Sequence, residues 1–266
     1  DSNYRDANLK WDLTQKNILK KIDNKILNVT QGFIASNENN FNTTLGREGS
    51  DYSAAIYAYC LNAESVTIWK DVPGVLNADP RVFKKTQLLQ EISYTEAIEL
   101  AFYGASVIHP KTLQPLQKKE IPLYVKSFLD PNSDGTSISR GVKIKPEVPC
   151  FIVKRNLNLL KLSSLDFSFI VEDNISEIFQ ILHENKMKVD LIQNSAISFS
   201  VCIYDKYNRL KELLSILKAT FKVECTEGVS LFTIRHFKEN SANEILKKNQ
   251  LLLEQRTNEV LQLVVR

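Results

Sequence analysis

Apolar residues fall along this chain in runs of two spacings, separated by polar, turn-forming stretches. ILNVTQGFIAS (Ile26 to Ser36) is apolar and β-branched, ends in NENNFNTT, and predicts a buried strand followed by a loop. A Gly-punctuated turn then opens SDYSAAIYAYCLN, whose Ala and aromatic spacing predicts a helix packed on a sheet. SVTIWKDV (Ser65 to Val72) predicts a second strand, closed by the Pro73-Gly74 turn. TEAIELAFYGA and PKTLQPLQKKE predict helices, and IPLYVKSF another strand. Strands alternating with helices predict a mostly parallel sheet with helices on its faces.

The second part keeps a shorter rhythm. A strand around Asn158 to Leu165 precedes the helix ISEIFQILHENK, the strands KVDLIQ and ISFSVCIYD, the helix NRLKELLSILKAT and the strand FKVECTE. After Gly228 the order starts again with strand VSLFTIRHF, helix SANEILKKN and strands QLLLEQ and VLQLVVR. The first copy is a full βαββαβ unit and the second stops after βαββ, so two small ferredoxin-like modules are expected, the second incomplete or finished by another segment. Glycine and proline divide the chain at the same place. Seven of the eight glycines and all eight prolines lie at or before Pro149. The expected organisation is residues 1–138 as one domain, 139–150 as a linker, and 151–266 as paired modules at about 151–227 and 228–266.

Composition narrows the function classes. Lys plus Arg number 34 against 31 Asp plus Glu, and a net charge of +3 without a basic tract argues against nucleic acid as a partner. Cys60, Cys150, Cys202 and Cys225 form no CxxC pair, so neither a disulfide framework nor a zinc site is expected. No apolar run approaches a bilayer span and DSNYRDANLK does not resemble a signal peptide, which predicts a cytoplasmic protein with no membrane partner. The chain opens on Asp1 within loop-like polar sequence, as a piece of a longer protein would.

Two stretches carry candidate chemistry. In LGREGSD (Leu45 to Asp51), glycines let backbone N–H groups approach a ligand, and the following helix points its positive end there, which predicts a bound anion. Arg47 suits a carboxylate through paired hydrogen bonds worth about 1.5–3 kcal/mol, and Asp51 suits an ammonium group; an amino acid would use both. Helix capping by Ser50 or Asp51 is the simpler reading of that turn taken alone. In WKDVPGVLNADPR (Trp69 to Arg81), a strand end favours a ligand, with Lys70 and Arg81 facing phosphate oxygens and Asp71 a nucleotide hydroxyl or metal-bound water; a structural turn is the alternative. YGASVIHPKTL reads as helix punctuation by Gly104 and Pro110. His109, His183 and His236 have no metal-like spacing, and no metal site is expected from side chains alone.

GREGSD, then KDVPGVLNADPR, then YGASVIHPKTL, in this order and spacing, resembles the aspartate kinase family, and YRDAN, IPLYVKSFLDPNSDGTSI and VDLIQNS extend the resemblance over nearly the whole chain. It implies an amino-acid-kinase-like α/β/α sandwich followed by two ferredoxin-like ACT modules. It also implies transfer of the ATP γ-phosphate to the β-carboxylate of L-aspartate, with ATP and Mg²⁺ as cofactors. By position, Arg47, Gly49, Ser50 and Asp51 would hold aspartate, and Lys70, Asp71, Leu76, Arg81, Ser106 and Val107 would border the nucleotide. Lys70 stands where Thr is usual and Ser106 where Lys often contacts ATP, which implies that Lys70 compensates for the lysine missing at Ser106. Val189, Asp190 and Ser195 would line an effector pocket for lysine or threonine, and ACT pairing implies a homodimer. Nothing here resembles the family's KFGGTS-like strand, which implies little kinase activity for this chain by itself. A non-catalytic amino-acid-binding regulatory subunit is the alternative.

Overall fold

The computed structural model describes Asp1 and residues 3–105, 107–166 and 168–266. The chain forms two compact units, Asp1–Val148 and Pro149–Arg266.

The first unit begins with helix α1 (Trp11–Lys21), the short strands β1 (Ile34–Ser36) and β2 (Asn42–Thr44), and helix α2 (Gly49–Leu61). Strand β3 (Val66–Lys70), strand β4 (Glu91–Ser93), helices α3 (Tyr94–Tyr103) and α4 (Pro110–Lys119), and strands β5 (Leu123–Ser127) and β6 (Thr136–Ser139) follow. The sheet runs β3-β5-β6-β4, parallel between β3 and β5 and between β6 and β4, antiparallel between β5 and β6. It is mixed rather than mostly parallel, because β6 returns beside β5 without a helical crossover.

Burial explains how the helices seat. Val66 and Ile68 of β3 are buried while Thr67 and Trp69 are exposed, so one sheet face carries the core. Leu113 and Leu116 of α4, Leu123 and Val125 of β5, and Ile138 of β6 are fully buried. Each such side chain contributes roughly 1.5–3 kcal/mol. Helix α2 packs against α1 and α4, with Ile18, Leu45, Ile56 and Cys60 sharing one cluster. Ser93 caps α3 by accepting from Glu96 N–H, and His109 Nδ1 accepts from Lys111 N–H at the start of α4, where Pro110 takes the first turn.

One expected strand fails. Only Ile34–Ser36 of the run from Ile26 is extended against a partner, and Ile26, Leu27 and Val29 are exposed. Phe33, at φ 71°, turns the backbone out of the extended region just before β1, and β2 offers partners to three residues alone.

The second unit holds strand β7 (Cys150–Ser163), helix α5 (Glu172–Glu184), strands β8 (Lys188–Asn194) and β9 (Ser198–Tyr204), helix α6 (Leu210–Thr220), strand β10 (Lys222–Arg235), helix α7 (Asn243–Leu246), and strands β11 (Leu251–Arg256) and β12 (Val260–Val265). Its sheet is β11-β12-β10-β7-β9-β8, antiparallel throughout. The expected break at Gly228 is absent. β10 runs through it, with register shifts against β7 between Glu227 and Leu231.

Two ferredoxin-like modules therefore share two long strands. The later half of β7 and the earlier half of β10 complete α5, β8, β9 and α6, whereas the earlier half of β7 lies beside Ser230–Arg235, β12, β11 and the single-turn α7. Cys150–Asn156 is the segment that finishes the second module. Leu160, Leu162, Phe199 and Val201 pack under Ile178 and Leu182 of α5 and Leu213 and Leu217 of α6. On the opposite face, Leu157, Leu191, Cys202, Leu231, Leu253 and Val264 form a cluster made of strands alone. That cluster joins β8 to β11, the two edge strands, and Gln193 Nε2 donates to the Glu254 carbonyl at 3.3 Å, so the sheet curls until its edges approach.

Candidate active site

The LGREGSD turn is held from both sides. Gly46, at φ 80°, occupies the left-handed region, and a Cβ there would collide with Asp6 Oδ1. Asp6 is itself ion-paired with Lys111 at the start of α4. On the other side Ser53 Oγ accepts from Phe33 N–H at 2.9 Å and donates to the Gly49 carbonyl at 2.9 Å, tying the 30s segment to the first turn of α2. Sequence reasoning missed Asp6, Phe33 and Lys111. Their signal is weak, because the pairings are long-range and leave no periodicity.

Asp51 stands in the first turn of α2, and its Oδ2 lies 2.8 Å from Lys70 Nζ at the end of β3. The two candidate stretches thus meet at the carboxyl end of a parallel strand, where open α/β sheets bind ligands. Both side chains are about four-fifths buried, with exposures of 17% and 20%. Asp51 Oδ2 receives no well-aligned hydrogen bond, so charge rather than geometry holds the pair. Glu48 Oε2, buried at the N-cap of α2, is also without a hydrogen-bond donor. A buried carboxylate oxygen wanting a donor, as on Asp51, suits an ammonium group with its three N–H bonds.

Arg47 is 74% exposed with Nε 4.0 Å from Glu48 Oε1, and Ser50 is exposed beside it. Arg81 is turned to Asp79, which accepts from its Nε at 3.0 Å and its Nη2 at 2.9 Å. Asp71 is exposed and Val107 half-buried, while Ser106 lies outside the described residues. Leu76 bridges to Leu88. The loop from Asp71 to Leu76 is clamped by Thr136, whose buried Oγ1 accepts from Val75 N–H at 2.8 Å and donates to the Leu89 carbonyl at 2.6 Å. Gly74 makes that clamp possible. A Cβ on it would lie 2.5 Å from Thr136 Oγ1, and its φ of +146° disfavours other residues. Thr136 is a further residue that sequence reading did not single out.

A cavity of about 610 Å³ lies elsewhere on α2, lined by residues including Ile18, Ile34, Asn37, Leu45 and Tyr57, and contains neither Asp51 nor Lys70. Among the described residues no group of three His, Cys, Asp or Glu side chains forms a metal cluster.

In the second unit, Asp190 occupies a bulge of β8, its carboxylate 3% exposed, 2.6 Å from Lys154 Nζ and 3.9 Å from Lys188 Nζ. Val189 packs beneath α5 and α6. Ser195 sits in the turn to β9, its Oγ 2.8 Å from Ser198 Oγ. Burial and the Asp190 charge push the Cys202 thiol up to about 12.

Residues 4–127 match the amino acid kinase family. The chain is 38% identical over 218 residues to lysine-sensitive aspartokinase 3 of Escherichia coli K12, covering 79% of this chain and 48% of that protein. The chain is an aspartokinase homologue. It is also 32% identical over 240 residues to a bifunctional aspartokinase/homoserine dehydrogenase of Buchnera aphidicola, covering 85% of this chain and 28% of that protein. The chain thus spans about half the length, or less, of these relatives. The structure of E. coli aspartokinase III in complex with lysine and aspartate superposes with a TM-score of 0.77 at 32% identity, over 100% of this chain and 63% of that one. The same protein in complex with aspartate and ADP gives 0.77 at 30% identity, over the same shares. The expected kinase-type α/β fold followed by ACT-type modules is the fold of these aspartokinases. No helix among the described residues is long and apolar enough to cross a membrane.

Proposed function

We propose that this chain contributes the amino-acid-binding wall and part of the nucleotide-binding wall of an aspartate kinase, with a paired-module unit that senses an amino acid. The observation that carries this reading is the meeting of Asp51 and Lys70 at the carboxyl end of β3. Asp51 would hold the substrate ammonium, and Arg47, exposed at the rim, would close on a carboxylate. Lys70, Asp71, Leu76, Arg81, Ser106 and Val107 would border ATP, and Asp71 would hold a water of the accompanying Mg²⁺.

The residues present fit a nucleotide: a clamped loop follows a parallel strand, and a lysine ends that strand. ATP would supply the transferred phosphoryl group, and the protein's share is positioning and charge stabilisation. The relatives whose structures contain aspartate with lysine, or aspartate with ADP, support the same substrate class. Val189, Asp190 and Ser195 would contribute to an effector pocket, and pairing of the second unit with a copy of itself would give a homodimer.

Calorimetric titration of L-aspartate and of Mg·ADP into the protein tests the reading. Asp51→Asn should weaken aspartate by about tenfold or more without weakening ADP, since a charge-assisted contact is worth about 1.5–3 kcal/mol. Equal loss of both, or of neither, overturns the assignment. Titration with lysine and threonine then separates a sensing unit, which binds at least one, from a unit that only joins copies.

A further inference from the structure

We infer that Lys70 couples the two ligands, by moving between the Asp51 carboxylate and the nucleotide phosphates according to whether an amino acid is bound. The inference rests on the proposed site and adds to it a mechanism by which one substrate prepares the protein for the other.

The argument starts from Asp51. A carboxylate this deeply buried needs a cation, and leaving it bare is strongly unfavourable. Lys70 supplies that cation at 2.8 Å. It does so imperfectly, because Oδ2 receives no aligned N–H from it. The ammonium of an amino acid, free to rotate, can align an N–H on the Asp51 oxygen and is a better partner for it than a tethered lysine.

Displacement frees a charge at a particular place. Lys70 is the last residue of β3, its carbonyl fixed by the Phe128 N–H at 3.0 Å, so its backbone stays at the strand end while the side chain swings. The other cation expected beside the nucleotide, Arg81, is already engaged by Asp79 through two contacts. A released Lys70 therefore supplies a cation for the phosphates that is otherwise neutralised. Each ligand then binds more tightly in the presence of the other, and by linkage the factor is the same in both directions.

Calorimetry on wild type, Lys70→Met and Lys70→Arg, with folding checked by circular dichroism, reads this directly. In wild type, L-aspartate should tighten Mg·ADP by about fivefold or more, at the lower end of ordinary coupling between sites. Lys70→Met should bind aspartate several-fold more tightly than wild type, bind ADP more weakly, and show no coupling. Lys70→Arg should keep part of it. If Lys70→Met weakens ADP but leaves aspartate affinity and coupling unchanged, Lys70 is a phosphate ligand only and the inference falls while the proposed function stands. If none of the three proteins binds aspartate while ADP still binds, the inference and the proposed function both fall. Acetic anhydride labelling of the wild type adds a readout without mutation. Aspartate should raise Lys70 acetylation several-fold and subsequent Mg·ADP should lower it again; unchanged labelling overturns the exchange.

Discussion

Lys154 of β7 reaches past β9 to Asp190 in the bulge of β8, its Nζ 2.6 Å from Oδ1. Lys154 lies opposite Leu231 in the ladder, next to the point where β7 and β10 pass from one module to the other. The pair pins the edge strand of the first module to the joint. It also means that a ligand ammonium aimed at Asp190 would have to displace a lysine already there.

Removing one member of that pair should be costly. Asp190→Asn is expected to destabilise the second unit by about 3–5 kcal/mol, because Lys154 would keep its charge in a largely buried place, whereas Lys154→Met combined with Asp190→Leu should cost less than either single change. Urea unfolding followed by far-ultraviolet dichroism measures Asp190→Asn, both single changes and the double variant. A cost below about 1 kcal/mol for Asp190→Asn would mean that water reaches the carboxylate.

The clamp on the Pro73-Gly74 turn gives a second test. Gly74→Ala forces a Cβ against Thr136 Oγ1 and should destabilise the first unit by roughly 1–3 kcal/mol. Thr136→Val, which leaves Val75 N–H and the Leu89 carbonyl buried without partners, should cost about 1–3 kcal/mol for each group left unsatisfied. Both variants should weaken Mg·ADP more than L-aspartate, since the loop from Asp71 to Leu76 is displaced while Asp51 is not.

Cys202 makes stability depend on alkaline pH. Its thiol is shifted from an ordinary value of 9.0 up to about 12, first by burial and then by the Asp190 charge. Between these values the unfolded chain loses the proton and the native chain keeps it, so stability is full below about pH 9 and falls as pH rises toward 12. By about pH 10.5 the loss attributable to this group should reach roughly 2 kcal/mol. Cys202→Ala should flatten that part of the pH profile in urea titrations. The same burial should keep Cys202 unreactive toward a thiol-modifying disulfide at pH 8 until the unit unfolds.

Local pattern revealed most of the elements. SDYSAAIYAYCLN, TEAIELAFYGA and PKTLQPLQKKE became α2, α3 and α4 because their spacing places Ile56, Leu100 and Leu113 on buried faces. Gly228 misled, since a lone glycine between apolar runs reads as a break, and only the β7 ladder alongside shows that the strand continues. Ile26 to Val29 misled in the opposite sense. β-branched residues favour strands, yet a strand also needs a neighbour to bond, and propensity carries no record of whether one is there.

The site was legible in its residue types and not in its pairings. Asp51 and Lys70 were both candidates, assigned to different ligands, and each is the other's partner. The strand-end placement suggests that Arg81 faces phosphate, and its guanidinium grips Asp79 two residues earlier, a pairing that no periodicity foretells. Charge partners are chosen by three-dimensional proximity, to which hydrophobic periodicity is blind.

The shared strands have a consequence for how the chain is made. Cys150–Asn156 leaves the ribosome well before Ser230–Arg235, the stretch it must zip against, so this half-strand waits unmated while the whole first module is synthesised. Contacts so distant in sequence slow folding and leave an open edge for other nascent chains to capture. Neither module is an autonomous cassette. A chain cut after Glu227 would keep the helices α5 and α6 over their core yet carry a dangling, adhesive ribbon at its front.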